Sequence, residues 1–244
     1  HLASLGASLI LLDRNAKRSE SHADDLRQRF PGIAVSRIHL DLEDLSSAAA
    51  AVRELSQKEI DVFIHNAGAY SIPRHTCESG YDNVFQINFV APYYMTRRLL
   101  PLLRRRGGRV VAVGSIAHNY SKTDAVDVDF RTRKKASLVY GNAKRYLTYS
   151  LFALAGEGGV AVAHPGITFT GITAHYPKLI FAIIKHPMKV IFMKPRLAAL
   201  SILKGVFDQI EYGSWIGPGI FNIWGLPKKQ QLNTCNPSER KKIA

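Results

Sequence analysis

The chain has 244 residues, 46% hydrophobic and 21% charged, enough apolar material for one large core and too much for a disordered protein. The net charge of +14 favours acidic partners, yet no zinc-finger spacing or aromatic-interleaved RNA motif accompanies it, so nucleic acid is not expected. The two cysteines, Cys77 and Cys235, lie far apart, which argues against a disulfide framework or a metal site and for a reducing, cytoplasmic compartment.

In chain order, HLASLGA (1 to 7) reads as a helix end closed by Gly6. A targeting signal upstream of it is left open. SLILLD (8 to 13) reads as a buried strand, and 17 to 30 as a helix. AVSRIHLD (34 to 41) is a second strand, 45 to 57 a second helix, and IDVFIHNAG (60 to 68) a third strand running into a tight turn. Residues 81 to 106 form a long helix with a bend expected near Pro92. GRVVAVGS (108 to 115) is a fourth strand, 138 to 155 a helix, and GVAVAHPG (159 to 166) a fifth strand. Continuous apolar strands separated by helices predict a doubly wound α/β parallel sheet covered on both faces, forming one domain over 1–244. No apolar run reaches the ~18 residues of a membrane span.

Ligands of such sheets bind at the carboxyl ends of strands. The residues there are Asp13, Asp41, Asn66, Ala67 and Gly68, Ser115, and Pro165 and Gly166. On the helix after the fourth strand, YGNAK sets Tyr140 and Lys144 one turn apart on a common face. Each feature alone is commonplace, but their order and spacing are specific. From Leu2 to about Lys229 the chain resembles the short-chain dehydrogenase/reductase family. GSIAHNYSKTDAVDVDF and NAGAYSIPRHTCESGYDNVFQINFVAPYYMT resemble its retinol-dehydrogenase-like branch.

The resemblance implies a three-layer Rossmann fold and hydride transfer between a nicotinamide and an alcohol or carbonyl carbon. Tyr140 would be the general acid/base, with its phenol pKa lowered by Lys144 and the oxidised cofactor. Lys144 would also hold the nicotinamide ribose. Ser115 would bind the substrate oxygen, and Asn88 would position a relay water. Cofactor contacts would come from Asp13, Arg14, Asp41, Leu42, Asn66, Ala67, Gly68, Tyr140, Lys144, Pro165, Gly166, Ile167 and Thr170. His118 and Asp127, in the loop between Ser115 and Tyr140, read as structural.

Ala143 replaces the serine many relatives carry before the lysine. The family's first strand and Gly-rich phosphate loop would precede residue 1. Asp13 favours NAD, since a carboxylate there repels a 2′-phosphate, whereas the adjacent Arg14 favours NADP; the balance leans to NAD. Residues 171–195 are dense in Ile, Phe and Met, with Lys178, Lys185, Lys189 and Lys194 between them. They suggest a substrate lid with a basic rim that admits an apolar alcohol or ketone and rests on anionic membrane. A homo-oligomer is left open. The rival reading is a non-catalytic basic α/β module bound to membrane or nucleic acid.

Overall fold

The computed structural model describes residues 1–155, 159–166, 193–209, 214–232 and 243. Ile167, Thr170 and residues 171–192 of the expected lid lie outside the described residues. The chain groups into two compact units, His1–Glu59 and Ile60–Ala244.

In the first unit a 3-10 turn (Ala3–Leu5) is closed by Gly6, whose φ of 86° is left-handed. Strand β1 (Leu9–Asp13) runs parallel to β2 (Val35–His39), with Leu9 opposite Val35 and Asp13 opposite His39. Among the described residues β2 is its only ladder neighbour, and all five β1 residues are half-buried rather than buried as the apolar run suggested. Helix α1 (Ala16–Arg29) starts where the Asn15 side chain accepts from the Arg18 N–H. Helix α2 (Leu45–Leu55) starts at Asp44, which accepts from Ser46. Ala48, Ala51, Val52 and Leu55 recur at helical spacing and form its buried stripe.

The second unit is built on five strands in the order β3 (Val62–His65), β4 (Arg109–Val113), β5 (Val160–Ala163), β6 (Ser214–Ile220) and β7 (Trp224–Gln231). The first four are parallel, and β7 closes an antiparallel hairpin with β6. Val110, Val111 and Ala112 of β4 and Val160 to Ala163 of β5 are at most 1% exposed, so these central strands are apolar on both faces. Helix α5 (Ala136–Ala155) is buried on nearly every side, and helix α6 (Pro195–Phe207) lies against β4, β5, β6 and β7.

The expected long helix carries its irregularity just before Pro92. One α turn, α3 (Asn83–Phe85), leads into a π-helical turn, Gln86–Val90, followed by α4 (Ala91–Arg105). Pro92 has no N–H to donate to the Asn88 carbonyl four residues earlier. The Ala91 N–H reaches back five residues to Gln86. The irregularity therefore lands on Asn88, one turn before the proline.

Two histidines lie at strand ends in the core. His65 bonds Thr96 Oγ1 through Nε2 at 2.8 Å. Burial, with Lys144 second, pushes it down to about 3. His164 is stacked on Trp215 at 5.6 Å and is pushed down to about 4, chiefly by burial. The unfolded chain binds more protons than the native state between these values and the ordinary ~6.5, so each histidine costs stability as pH falls through that window. The ring protons of His65 and His164 are expected not to titrate by NMR between neutral pH and 5. A midpoint near ~6.5 for either would show that its ring reaches water.

Candidate active site

The carboxyl end of β4 leads through Gly114 to Ser115, which caps the 3-10 turn Ile116–Asn119 by accepting from Ala117 N–H at 3.2 Å. His118 in that turn holds the Ser115 carbonyl through Nδ1 at 2.6 Å. On α5, Tyr140 hydrogen-bonds the Ser115 side chain, and the Tyr70 ring meets it edge-on at 5.3 Å. One turn later Lys144, 3% exposed, donates from Nζ to the Val113 carbonyl at 2.9 Å. Its ammonium lies 5.7 Å from the Tyr140 ring centre.

Two glycines make this closeness geometrically available. A Cβ on Gly141 would stand 2.5 Å from the Ala117 carbonyl oxygen, so only glycine lets α5 approach the Ser115 turn. A Cβ on Gly68 would stand 2.8 Å from Asn88 Oδ1 and 3.6 Å from Lys144 Nζ. Asn88 is fully buried. Its Nδ2 donates to the Ala69 and Val84 carbonyls at 2.8 Å each, and its Oδ1 accepts from Ala69 N–H at 3.3 Å. The π turn thus clamps the segment after β3 beside Lys144. Ser115, Tyr140, Lys144, Asn88 and Gly68 converge as sequence order suggested. Asn66 and Ala67, just before Gly68, are exposed.

The electrostatics differ from the expectation. Burial pushes the Tyr140 phenol up to about 12; the Ser115 hydrogen bond opposes this and Tyr70 reinforces it. Lys144 is pushed down to about 8 by burial. Without the cofactor the shift thus runs opposite to the expected acidification of Tyr140, because desolvation outweighs the Ser115 hydrogen bond.

At the end of β5, Gly166 takes φ 80°, and a Cβ there would meet the Ile223 carbonyl, Met193 Sδ and Pro218 at 2.8 to 2.9 Å. Pro165 precedes it. In the first unit, both Asp13 oxygens are engaged, by Asn15 N–H at 2.8 Å and Arg18 at 3.2 Å. Arg14 pairs with Glu43 at 3.1 Å and Asp41 at 4.0 Å. Asp41 also accepts from Glu43 N–H, and Leu42 between them is half-buried. Tyr70 and Gly141 were not read from sequence as part of the site; a glycine inside a helical pattern beside Tyr140 was the available signal.

The family model described as short chain dehydrogenase matches residues 1–126. The chain belongs to the short-chain dehydrogenase family. This short-chain dehydrogenase is 30% identical to human retinol dehydrogenase 13 over 185 residues, 71% of this chain and 55% of that one. It is 30% identical to the short-chain dehydrogenase/reductase pkfC of Emericella nidulans over 245 residues, 89% and 77% of the two chains. It thus spans about half the length of several curated relatives it matches. A crystal structure of a Mycobacterium Paratuberculosis protein superposes with a TM-score of 0.76 at 23% identity, over 99% of this chain and 83% of that one. L-Sorbose reductase from Gluconobacter frateurii, complexed with NADPH and L-sorbose, superposes at 0.61 with 19% identity, over 84% and 82%. These likenesses show the doubly wound Rossmann fold.

Gly141→Ala tests the close approach. Alanine gains about 1 kcal/mol of helix propensity, but a backbone carbonyl at 2.5 Å cannot yield cheaply, and overpacking costs about 1–3 kcal/mol. A lower Tm is expected; a Tm equal to or above that of the parent would show that α5 and the Ser115 turn are not in tight contact.

Proposed function

We propose that the protein transfers a hydride between a nicotinamide cofactor and the carbon of an apolar alcohol or carbonyl compound, with Tyr140 moving the proton on oxygen. The observation that carries this is the Ser115–Tyr140 hydrogen bond beside a buried Lys144. The residues fit the cofactor: Gly68, lacking a Cβ, leaves open the space within reach of Lys144 Nζ. Lys144 would hold the nicotinamide ribose, Gly166 and Pro165 the carboxamide end, and Asn66 to Gly68 the adenosine ribose. When bound, the nicotinamide gives or takes the hydride.

The chain's own residues handle oxygen and proton. A phenol pushed up to about 12 stays protonated at neutral pH, so Tyr140 is a ready proton donor to a carbonyl oxygen. Ser115 orients that oxygen, held in turn by His118 through its carbonyl. The alcohol direction requires the phenol to lose its proton, and the positive charges of Lys144 and an oxidised nicotinamide would favour that. Asn88 contributes its side chain to the turn at Ala69 and its main-chain carbonyl, denied a bond from Pro92, to a relay water.

Two finer choices complete the proposal. Asp13 is held ionised by Asn15 N–H and Arg18 against the opposing effect of burial, while Arg14 is engaged by Glu43. Both favour NAD over NADP. The apolar, lysine-punctuated 171–195 and the retinol dehydrogenases among the relatives favour a lipid-like, retinoid-like or steroid-like substrate over a sugar.

Tyr140→Phe is expected to lower turnover by ~10²–10⁴-fold with Tm retained. Retention of more than a tenth of turnover would sink the assignment. In assays with the full protein, kcat/KM should favour NADH over NADPH, and long-chain or polycyclic ketones over polyhydroxylated ones. A clear NADPH preference refutes the reading of Asp13, and turnover of polyhydroxylated compounds alone refutes the apolar substrate.

A further inference from the structure

The tip of the β6–β7 hairpin presents apolar side chains to solvent: Ile220 is 56% exposed, Phe221 87%, Trp224 41% and Leu226 72%. The turn itself is unusual. Ile223 N–H bonds the Ile220 carbonyl at 2.9 Å, and both residues between them have positive φ, 50° at Phe221 and 57° at Asn222. Such turns favour Asn-Gly or Asp-Gly, and a bulky ring in the left-handed region is out of place. The sequence therefore holds a strained backbone position in order to display a phenyl ring at the outermost point of the sheet.

We propose that this tip is a docking surface for an anionic lipid bilayer. The surrounding charge fits that partner. Residues 214–232 contain no Asp or Glu, and two lysines follow the apolar tip. Lys229 donates to the Gln209 carbonyl. The stem of Lys228 lies along the hairpin, its Cδ and Cε 3.0 Å from the Cβ position of Gly219, an arrangement that suits a head group reaching lipid phosphate. Met193 and the Ile223 carbonyl flank the same point beside Gly166, so the exposed Lys194 begins next to the turn. A bilayer accepts an aromatic and aliphatic tip at its interface and attracts the basic collar. A second copy fits less well: edge-to-edge pairing along β7 would set Pro227 and like-charged lysines against each other. No helix among the described residues is long and apolar enough to cross a membrane, so contact through the tip would be peripheral.

β6 is parallel to β5, and the tip lies at the carboxyl end of both, the end that carries Pro165 and Gly166. Docking would turn that end of the sheet toward lipid. The inference stands apart from catalysis and is tested without it.

The chain has two tryptophans, of which Trp215 is 1% exposed and Trp224 is at the tip. Intrinsic fluorescence is read while the 244-residue protein is titrated at low salt with brominated phosphatidylcholine vesicles, with and without phosphatidylserine. Quenching is expected only with phosphatidylserine, and Trp224→Phe should abolish it. Phe221→Asn should weaken vesicle binding about tenfold while leaving Tm unchanged or raised, because asparagine suits the turn better. Lys228→Gln should weaken it about fivefold, the effect of one lysine near an anionic surface. The proposal is overturned by absence of quenching with anionic vesicles, by quenching that survives Trp224→Phe, by an unchanged vesicle affinity of Phe221→Asn, or by a Phe221-dependent dimer in the absence of lipid.

Discussion

The site depends on one constraint, an ammonium buried beneath a phenol. Lys144 lies 3% exposed and donates to the Val113 carbonyl at 2.9 Å. Burial lowers it from 10.5 to about 8, which corresponds to about 3 kcal/mol against its charged form. That cost is what remains with the hydrogen bond to Val113 in place, so the charge weakens the fold rather than holding it together. An apolar side chain of the same length would fill the space at lower risk. A costly charge beside a hydroxyl at the carboxyl end of a parallel strand is what catalysis requires and folding does not.

The surrounding elements keep that charge in place. β4 brings the Val113 carbonyl and, two residues on, Ser115. Gly141 lets α5 approach the Ser115 turn, and Gly68 leaves room in front of the ammonium. Pro92 removes one α-helical donor, and the resulting π turn aims Asn88 at the backbone of Ala69. A proline on one helix and a glycine after one strand thereby act on the same side chain, Asn88. The hairpin tip lies at the same end of the sheet and is built on a different principle, with apolar rings shown to solvent instead of charge hidden from it.

Strands β1 to β5 and helices α1, α2 and α5 were legible because apolar runs and caps such as Asn15 and Asp44 are local signals. The residues that converge on Tyr140 were legible as a motif. What was not legible depends on neighbours distant in sequence. The Gly- and Pro-rich SWIGPGI does not read as a strand, yet β5 and β7 on either side hold it as one. The proline at 92 signalled a distortion, but its place at Asn88 follows from which carbonyl lost its donor. The resemblance implied a phenol acidified by Lys144 and the oxidised cofactor together. The burial that reverses the shift comes from the surrounding fold, and the Tyr70 ring adds to it from seventy residues away.

The most direct measurement is the protonation equilibrium of Lys144 itself. With lysine labelled by carbon-13 at Cε, the Lys144 signal can be assigned by its loss in Lys144→Met and followed by NMR as pH is raised. A midpoint near 8 is expected for the buried ammonium. A midpoint at the ordinary ~10.4 would mean that the ammonium is hydrated, and the buried charge at the centre of the account would not exist.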